Sequence, residues 1–248
     1  MANGDNINVF GVANRTLPAT ASDGTYQVMR VSRRGEVITQ PLTGSKFSAL
    51  AAEGSYFVAT NPTPGTGIAG VAAASSFDDT QTLLHIRNTD TTKNLHLDYL
   101  RLTVTAAGTN GTTALYAMKT DRGVTRRTSG GTAITPVNPN AGDSSTASVA
   151  MYFGPIVTAA ATSDARLISN GNLRVGVIKV VGDTYLWNFG GSTQVVGAMA
   201  QAGTAVAQVV VNVAPVVLGP NDQFFLHEWA ASQTVGSSYL FECGFWMR

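Results

Sequence analysis

The chain has 248 residues, a formal net charge of +1 and only 12% charged residues, about half the share found in a typical soluble domain. This balance argues against nucleic-acid binding, which normally requires a clustered basic surface, and no apolar run reaches the 18 residues of a membrane span. The single cysteine excludes an intrachain disulfide framework. So few charges are typical of a protein whose surface is largely covered by neighbouring subunits, and they also fit an extracellular β protein.

The first 44 residues have the pattern of an extended arm followed by a hairpin. The predicted hairpin strands are Thr25–Val31 and Glu36–Gln40, and Gly35 supplies the turn between them. The N-terminus lacks a basic segment followed by an apolar stretch, so we expect no signal peptide. We therefore predict two regions, an arm with a hairpin over 1–44 and a folded domain over 45–248.

The remaining segments are short, alternate in polarity and are divided by Gly, Asn, Asp and Pro, as strands and turns are. A helix is expected at Gly44–Ala52 and a weaker one at Ala69–Ser75, and Gly123–Thr146 is predicted to be a long exposed loop. The predicted strands are Ser55–Thr60, Thr82–Arg87, Asn94–Val104, Ala114–Lys119, Ser148–Val157, Leu173–Val181, Thr184–Phe189, Ala205–Val213, Gln223–Trp229 and Ser238–Met247.

One strand changes the face of its apolar residues partway along. Leu95 and Leu97 share one parity, whereas Leu100 and Leu102 take the other. Because side chains alternate strictly along a strand, this switch predicts either a β-bulge or burial on both faces. Some ten strands with irregular connections predict an all-β protein, an antiparallel β-sandwich with a jelly-roll-like arrangement and an extended N-terminal arm.

A glycine-rich stretch, Gly65–Gly70, matches the G-x-G-x-x-G pattern of dinucleotide-binding loops. That site requires a strand directly before the glycines and a helix directly after them. Asn61-Pro62-Thr63-Pro64 separates the glycines from the preceding strand, so a flexible loop is the better interpretation.

Other candidates for chemistry are sparse. His85 and His96 lie on strands that pair if they share a sheet, but a zinc site needs three or four ligands. Glu228 and Glu242 are a conceivable glycosidase pair if they line one cleft, and Cys243 is expected to be a buried apolar residue. We predict no catalytic residue, no metal site and no cofactor.

Aromatic and basic residues leave further alternatives open. Trp187, Trp229 and Trp246 are expected in the core or at an interface, the alternative being a sugar-binding platform. A basic cluster, Arg122 with Arg126 and Arg127, is expected in a solvated loop.

The segment Ser22–Val37, SDGTYQVMRVSRRGEV, resembles a segment that recurs in virion proteins of tailed bacteriophages. There a D-G turn leads into a strand, then R-V, a polar turn that ends in Gly, and a second short strand. The Thr/Ala/Gly-rich strands that follow are similar in style to jelly-roll capsid decoration or cement proteins. The resemblance implies an accessory protein of an icosahedral shell, present in many copies as a homo-oligomer, either dimer or trimer.

The expected function is therefore that of a non-enzymatic virion structural protein, made in the host cytoplasm, that stabilises a capsid by bridging neighbouring subunits. The expected partners are capsid or other virion proteins, with no nucleic acid, membrane or small-molecule substrate. The alternatives are a tail, neck or fibre component that binds a host surface glycan, and a glycan hydrolase. The predicted partner interface comprises Phe10, Arg15, Arg30, Arg33 and Arg34, whose arginines would pair with acidic surface on the shell.

Overall fold

The computed structural model describes residues 46–72, 74–123, 125–190, 197–199 and 206–248. The predicted arm and hairpin, and the predicted boundary at residue 44, lie outside the described residues. One helix, α1, spans Lys46–Ala52, inside the segment predicted to be helical. The strands are β1 Tyr56–Thr60, β2 Ile68–Ala69, β3 Gln81–Asn88, β4 Leu95–Ala106, β5 Thr112–Asp121, β6 Arg127–Ile134, β7 Val149–Thr158, β8 Arg166–Asn172, β9 Thr184–Phe189, β10 Gly197–Met199, β11 Gln208–Val213, β12 Val217–Leu218, β13 Gln223–Ala231 and β14 Ser238–Met247.

The strands form two sheets that pack face to face as a β-sandwich, which confirms the predicted fold class. The first sheet has the order β1-β14-β4-β9-β11-β10, with β2 beside β14 and β12 beside β4. The second has the order β6-β7-β3-β13-β5-β8. All described strand pairs are antiparallel except β9 and β11, which run parallel. That pair departs from the purely antiparallel sheets that the sequence predicts, and the jelly-roll arrangement stays a prediction.

Aromatic rings from the two sheets meet in the core. Phe153 of β7 stacks on Phe241 of β14 with ring centroids 4.8 Å apart, and Tyr116 of β5 meets Trp187 of β9 edge-on at 5.3 Å. The alternating apolar residues of β14 are all buried on this side, as predicted. Each buried aromatic residue removes roughly 150–250 Å² from water, so these contacts dominate the packing of the sheets.

A β-bulge explains the parity switch in β4. Leu97 pairs with Phe245 of β14, whereas Tyr99 pairs with the adjacent Gly244, so Asp98 is the extra residue. The bulge lets Leu97 and Leu100 both face the core although they are an odd number of positions apart. The first of the two predicted explanations is therefore confirmed.

The structure differs from the sequence-based expectations in three segments. The predicted loop Gly123–Thr146 contains β6, an exposed edge strand in which Gly130 and Gly131 have φ of 76° and 73° at irregularities of the pairing with β7. The predicted strand Leu173–Val181 is an irregular connection, and the strand lies just before it, as β8. The weaker predicted helix at Ala69–Ser75 is wrong over its described residues, where β2 ends at Ala69.

Within the described ranges, no helix is both long and apolar enough to cross a membrane.

Candidate protein-interaction surface at one end of the sandwich

Three connections run between the two sheets at the same end of the sandwich. They are residues 107–111 between β4 and β5, 173–183 between β8 and β9, and 232–237 between β13 and β14. Residues 206–207, which lead into β11, lie beside the second of them, because Ala207 accepts a hydrogen bond from Thr184 at the start of β9. We call residues 107–111, 173–183, 206–207 and 232–237 together the crossover end.

Hydrogen bonds fasten the connections to each other and to the strands. Thr109 and Val235 form an isolated β-bridge in which the Thr109 amide donates to the Val235 carbonyl oxygen at 3.0 Å. The Gly176 amide donates to Oγ1 of Thr113 at 3.0 Å. The Gly182 amide donates to the carbonyl oxygen of Val104 at 2.8 Å. The crossover end is therefore held in a defined shape rather than being a set of independent loops.

A buried bidentate ion pair closes the longest connection. Arg174 donates from Nε and Nη2 to the two carboxylate oxygens of Asp183, at 2.7 and 2.8 Å. Asp183 also accepts from the amides of Val180 and Ala207 and from the hydroxyl of Tyr185. Burial opposes ionisation of Asp183, but the hydrogen bonds from Arg174 and the two amides hold the pKa of the carboxyl below its usual value.

A second ion pair anchors the middle of the same connection between the sheets. Lys179 contacts Oε1 of Glu228 on β13, and both side chains are buried. The hydroxyl of Tyr239 on β14 donates to the other carboxylate oxygen of Glu228. Burial lowers the pKa of Lys179 to about 7, against the opposing charge of Asp183. One lysine thus ties the connection to both sheets.

The outward side of the crossover end carries aliphatic side chains instead of charges. The charged residues of its connections are Arg174, Lys179 and Asp183, and each is at most 3% exposed. Five aliphatic residues are 41–62% exposed on the same end: Val175, Ile178, Val181, Val206 and Val235. Exposed apolar patches with little charge are typical of surfaces that bind other proteins. The crossover end is therefore the candidate interaction surface.

Sequence reasoning missed this surface because it assigned Leu173–Val181 to a strand. The signal that argued against a strand was the spacing of Arg174, Lys179 and Asp183, which breaks the period of two. Gly176 and Gly182, with φ of 74° and 95°, are the other sign of an irregular connection. The predicted partner interface, comprising Phe10, Arg15, Arg30, Arg33 and Arg34, lies outside the described residues.

The glycine-rich stretch is not a nucleotide loop. Ile68 and Ala69 form β2, which pairs with β14, and the Gly70 amide donates to the carbonyl oxygen of Ser237 at 2.7 Å. No helix follows the glycines in the described part of the chain. Their backbone serves to hold the crossover end against β14.

The histidines do not approach one another as a metal site requires. His85 is on β3 of the second sheet and His96 is on β4 of the first, so the hypothesis that their strands pair is wrong. His85 Nε2 lies 3.0 Å from Oε1 of Gln223, whereas the ring of His96 stacks on Trp246. Among the described residues, no group of three or more His, Cys, Asp or Glu side chains is arranged to hold a metal ion.

The two glutamates do not line one cleft. Glu228 points from β13 into the space between the sheets, where it binds Lys179 and Tyr239. Glu242 lies on the outer face of the first sheet, where it accepts from Tyr99 and Arg101. The alternative hypothesis of a glycosidase pair is therefore wrong. Cys243 is buried among core residues, as predicted, and burial raises the pKa of its thiol.

The tryptophans do not form one platform. Trp187 is buried in the core, as expected, and the other two lie half-buried on the outer faces of different sheets. Trp229 meets Phe77 edge-on with centroids 5.4 Å apart, and Trp246 packs against Phe47 at 6.0 Å. The cavity beside Trp229 is about 80 Å³, below the roughly 300 Å³ of typical ligand pockets.

The basic cluster of Arg122, Arg126 and Arg127 is only partly solvated, which corrects the expectation. Arg126 is buried and pairs with Asp79 at 2.6 Å and with Asp121 at 3.3 Å. Its guanidinium also covers the ring of Phe225, 4.7 Å from the centroid. Arg126 therefore has a structural role: its ion pairs and its contact with the ring of Phe225 stabilise the outer face of the second sheet.

No family model, no curated protein and no solved structure matches this chain.

Proposed function

We propose that this protein is a non-enzymatic virion structural protein, a capsid decoration or cement protein that stabilises a shell by bridging neighbouring subunits. The observation that carries the proposal is the crossover end, a rigid surface of exposed aliphatic residues without exposed charges. Such a surface suits contact with another protein.

The composition supports the same function. Only 12% of the residues are charged, which suits a protein whose surface is shared with neighbours in an assembly. The two sheets supply the body of the protein, and in this proposal the N-terminal arm, Ala2 to about Thr20, lies along a neighbouring subunit and gains its order on binding. In this proposal, Arg15, Arg30, Arg33 and Arg34 pair with acidic surface of the shell.

The direct test is co-sedimentation of the purified protein with bare shells assembled from the major capsid protein of a tailed bacteriophage. We expect saturable binding at a fixed ratio of copies to shell subunits. The double variant Arg30→Glu/Arg33→Glu is expected to bind at least about tenfold more weakly, because two attractive charge contacts become repulsive. Arg122→Glu/Arg166→Glu, which reverses two exposed charges elsewhere, is the matched control. No binding by the unmodified protein contradicts the proposal.

The arm has its own test. Deleting the residues before Ser22 is expected to leave the melting temperature unchanged and to weaken shell binding. Equal binding by the truncated protein would remove the arm from the mechanism.

A second candidate function, recognition of a host surface glycan, is favoured by the half-buried position of Trp229 beside Phe77, which is 43% exposed. Aromatic faces of this kind suit sugar rings. Fluorescence quenching by acrylamide with and without sugars tests it, since a bound sugar would protect Trp229. The variant Trp229→Phe identifies which tryptophan responds.

A further inference from the structure

We propose that the crossover end is the surface through which copies of this chain associate with one another. The proposal rests on the proposed function only for the expectation that many copies act together. The proposed function takes this surface as a contact between protein subunits of the assembly. The inference adds that the subunit bound there is a second copy of the chain, so that contact with the shell is made by the arm and the other faces of the joined copies.

Connection 173–183 reverses the usual placement of charged and apolar residues. Surface connections usually expose their charged side chains and bury their apolar ones. Here Arg174, Lys179 and Asp183 are buried, while Val175, Ile178 and Val181 are 41–62% exposed. Burying ionic groups has a desolvation cost that hydrophobic replacements would avoid. The arrangement is useful if the outward side must stay free of charge.

A second copy of the same surface is a suitable partner for the crossover end. An apolar surface is best covered by a surface that brings no unpaired charge. Connections 107–111, 206–207 and 232–237 contain no charged residue, and the charges of 173–183 are all paired inside. Two crossover ends placed together around a symmetry axis therefore bring no like charges into contact, and each supplies the apolar area that the other lacks.

The exposed apolar area of the crossover end is large enough to form part of a stable interface. The exposed parts of the five aliphatic residues amount to roughly 400 Å², the size of the largest apolar patch on a typical monomer. A standard interface buries about 800 Å² on each partner, and homodimer interfaces are roughly two-thirds apolar. The aliphatic residues thus supply about half of the area that a stable contact needs. Connections 107–111 and 232–237 also expose the uncharged residues Thr109, Asn110, Ser232 and Thr234, which can supply the rest.

The connections of the crossover end are already ordered in the single chain. The ion pairs Arg174–Asp183 and Lys179–Glu228 and the bridge between Thr109 and Val235 fix the connections before any partner arrives. A surface that is already ordered loses little conformational entropy on association.

The test is light scattering of the purified full chain without shells, together with two variants. The variant Val175→Asp/Val235→Asp places charges in the crossover end. Val217→Asp is the matched control, since Val217 is 48% exposed on β12, beside the start of β4 at the opposite end. All three aspartates replace exposed side chains, so circular dichroism and melting temperature should show that each variant folds.

We expect the unmodified chain and Val217→Asp to form a discrete dimer or trimer of the 25.8 kDa chain. Val175→Asp/Val235→Asp should be monomeric, or dissociate at a concentration at least about tenfold higher. A monomeric unmodified chain at high concentration would overturn the proposal, and so would an oligomer that the double variant leaves intact. An oligomer that behaves as expected but does not bind shells would count against the proposed function alone.

Discussion

Connections at the two ends of the sandwich each contain an aspartate that accepts hydrogen bonds from backbone amides, but the surfaces that the two connections present to solvent differ. At the end opposite the crossover end, Asp90 in connection 89–94 accepts from the amides of Thr92 and Lys93 at 2.9 Å. In connection 173–183, Asp183 accepts from the amides of Val180 and Ala207 at 2.8 and 2.7 Å. Both connections cross between the sheets.

The difference lies in what surrounds each carboxylate. Asp90 faces water, beside the exposed Lys93, and its hydrogen bonds with the backbone lower its pKa to about 2. Asp183 is buried, and Arg174 neutralises it. The comparison teaches that a polar turn becomes an apolar surface when its charges are paired inside the fold and its aliphatic residues are left outside.

The largest expected effect on stability comes from removing the carboxylate charge of Asp183 at the crossover end. Asp183→Asn leaves Arg174 buried without a carboxylate, and breaking a buried ion pair in this way costs about 3–5 kcal/mol. We expect a loss of that order in the free energy of unfolding, measured by urea denaturation monitored by tryptophan fluorescence.

Asp90→Asn is the matched control for that variant. Asparagine keeps the oxygen that accepts from the amides of Thr92 and Lys93, and water already solvates the site. The midpoint of the urea denaturation should therefore move only slightly. Equal losses in the two variants would break the comparison, because they would mean that burial of Asp183 has no energetic consequence.

The second-largest expected effect is a dependence of the free energy of unfolding on pH. Hydrogen bonds hold the pKa values of Asp90 and Asp183 below the usual 3.8, so the stability that these carboxylates contribute is lost mainly below pH 4. Burial lowers the pKa of His85 from 6.5 to about 4, so between these two pH values the unfolded chain binds a proton that the folded chain does not. Stability contributed by neutral His85 should therefore fall by up to about 3 kcal/mol as pH drops from 6.5 to 4.

Urea denaturation across that pH range measures the effect. His85→Gln has no titrating ring and should flatten the pH dependence. A residual slope is expected from His227, whose pKa burial also lowers. An unchanged slope in His85→Gln would mean that another group causes the acid sensitivity.

The smallest expected effect is the coupling between Lys179 and Glu228. Lys179→Met alone leaves Glu228 buried with only the hydroxyl of Tyr239 as its partner. In Lys179→Met/Glu228→Gln the charge is removed, and the amide oxygen can still accept from Tyr239. In a double-mutant cycle, we expect the double variant to lose about 1–2 kcal/mol less free energy of unfolding than the two single variants lose together. Strict additivity would show that the ion pair does not hold the connection to the sheet.

The sequence predicted most strands because their apolar residues alternate. Thr184–Phe189 and Ser238–Met247 are strands with the predicted bounds, and the parity switch in β4 correctly suggested a bulge. It failed at β6, where Arg127–Ile134 contains two glycines and few apolar residues. An edge strand exposed on both faces needs no alternation, and its pairing with β7 is a tertiary contact that no local pattern records.

The candidate surface was beyond prediction for a related reason. Connection 173–183 contains the aliphatic residues of a strand, and only the packed structure decides that its charges face inward. That choice depends on Asp183 and Glu228 reaching Arg174 and Lys179, and Glu228 lies 49 residues from Lys179 in the chain.

By itself, the sequence determined that this protein is an all-β sandwich with few charges, because strand periodicity and composition are local properties. The tertiary structure decided which strands share a sheet, and it placed His85 and His96, like Glu228 and Glu242, on different sheets. It also decided which side of the crossover end faces water. Those outcomes follow from pairing and desolvation between residues distant in the chain, where buried charges must find partners and the side chains left outside define the surface.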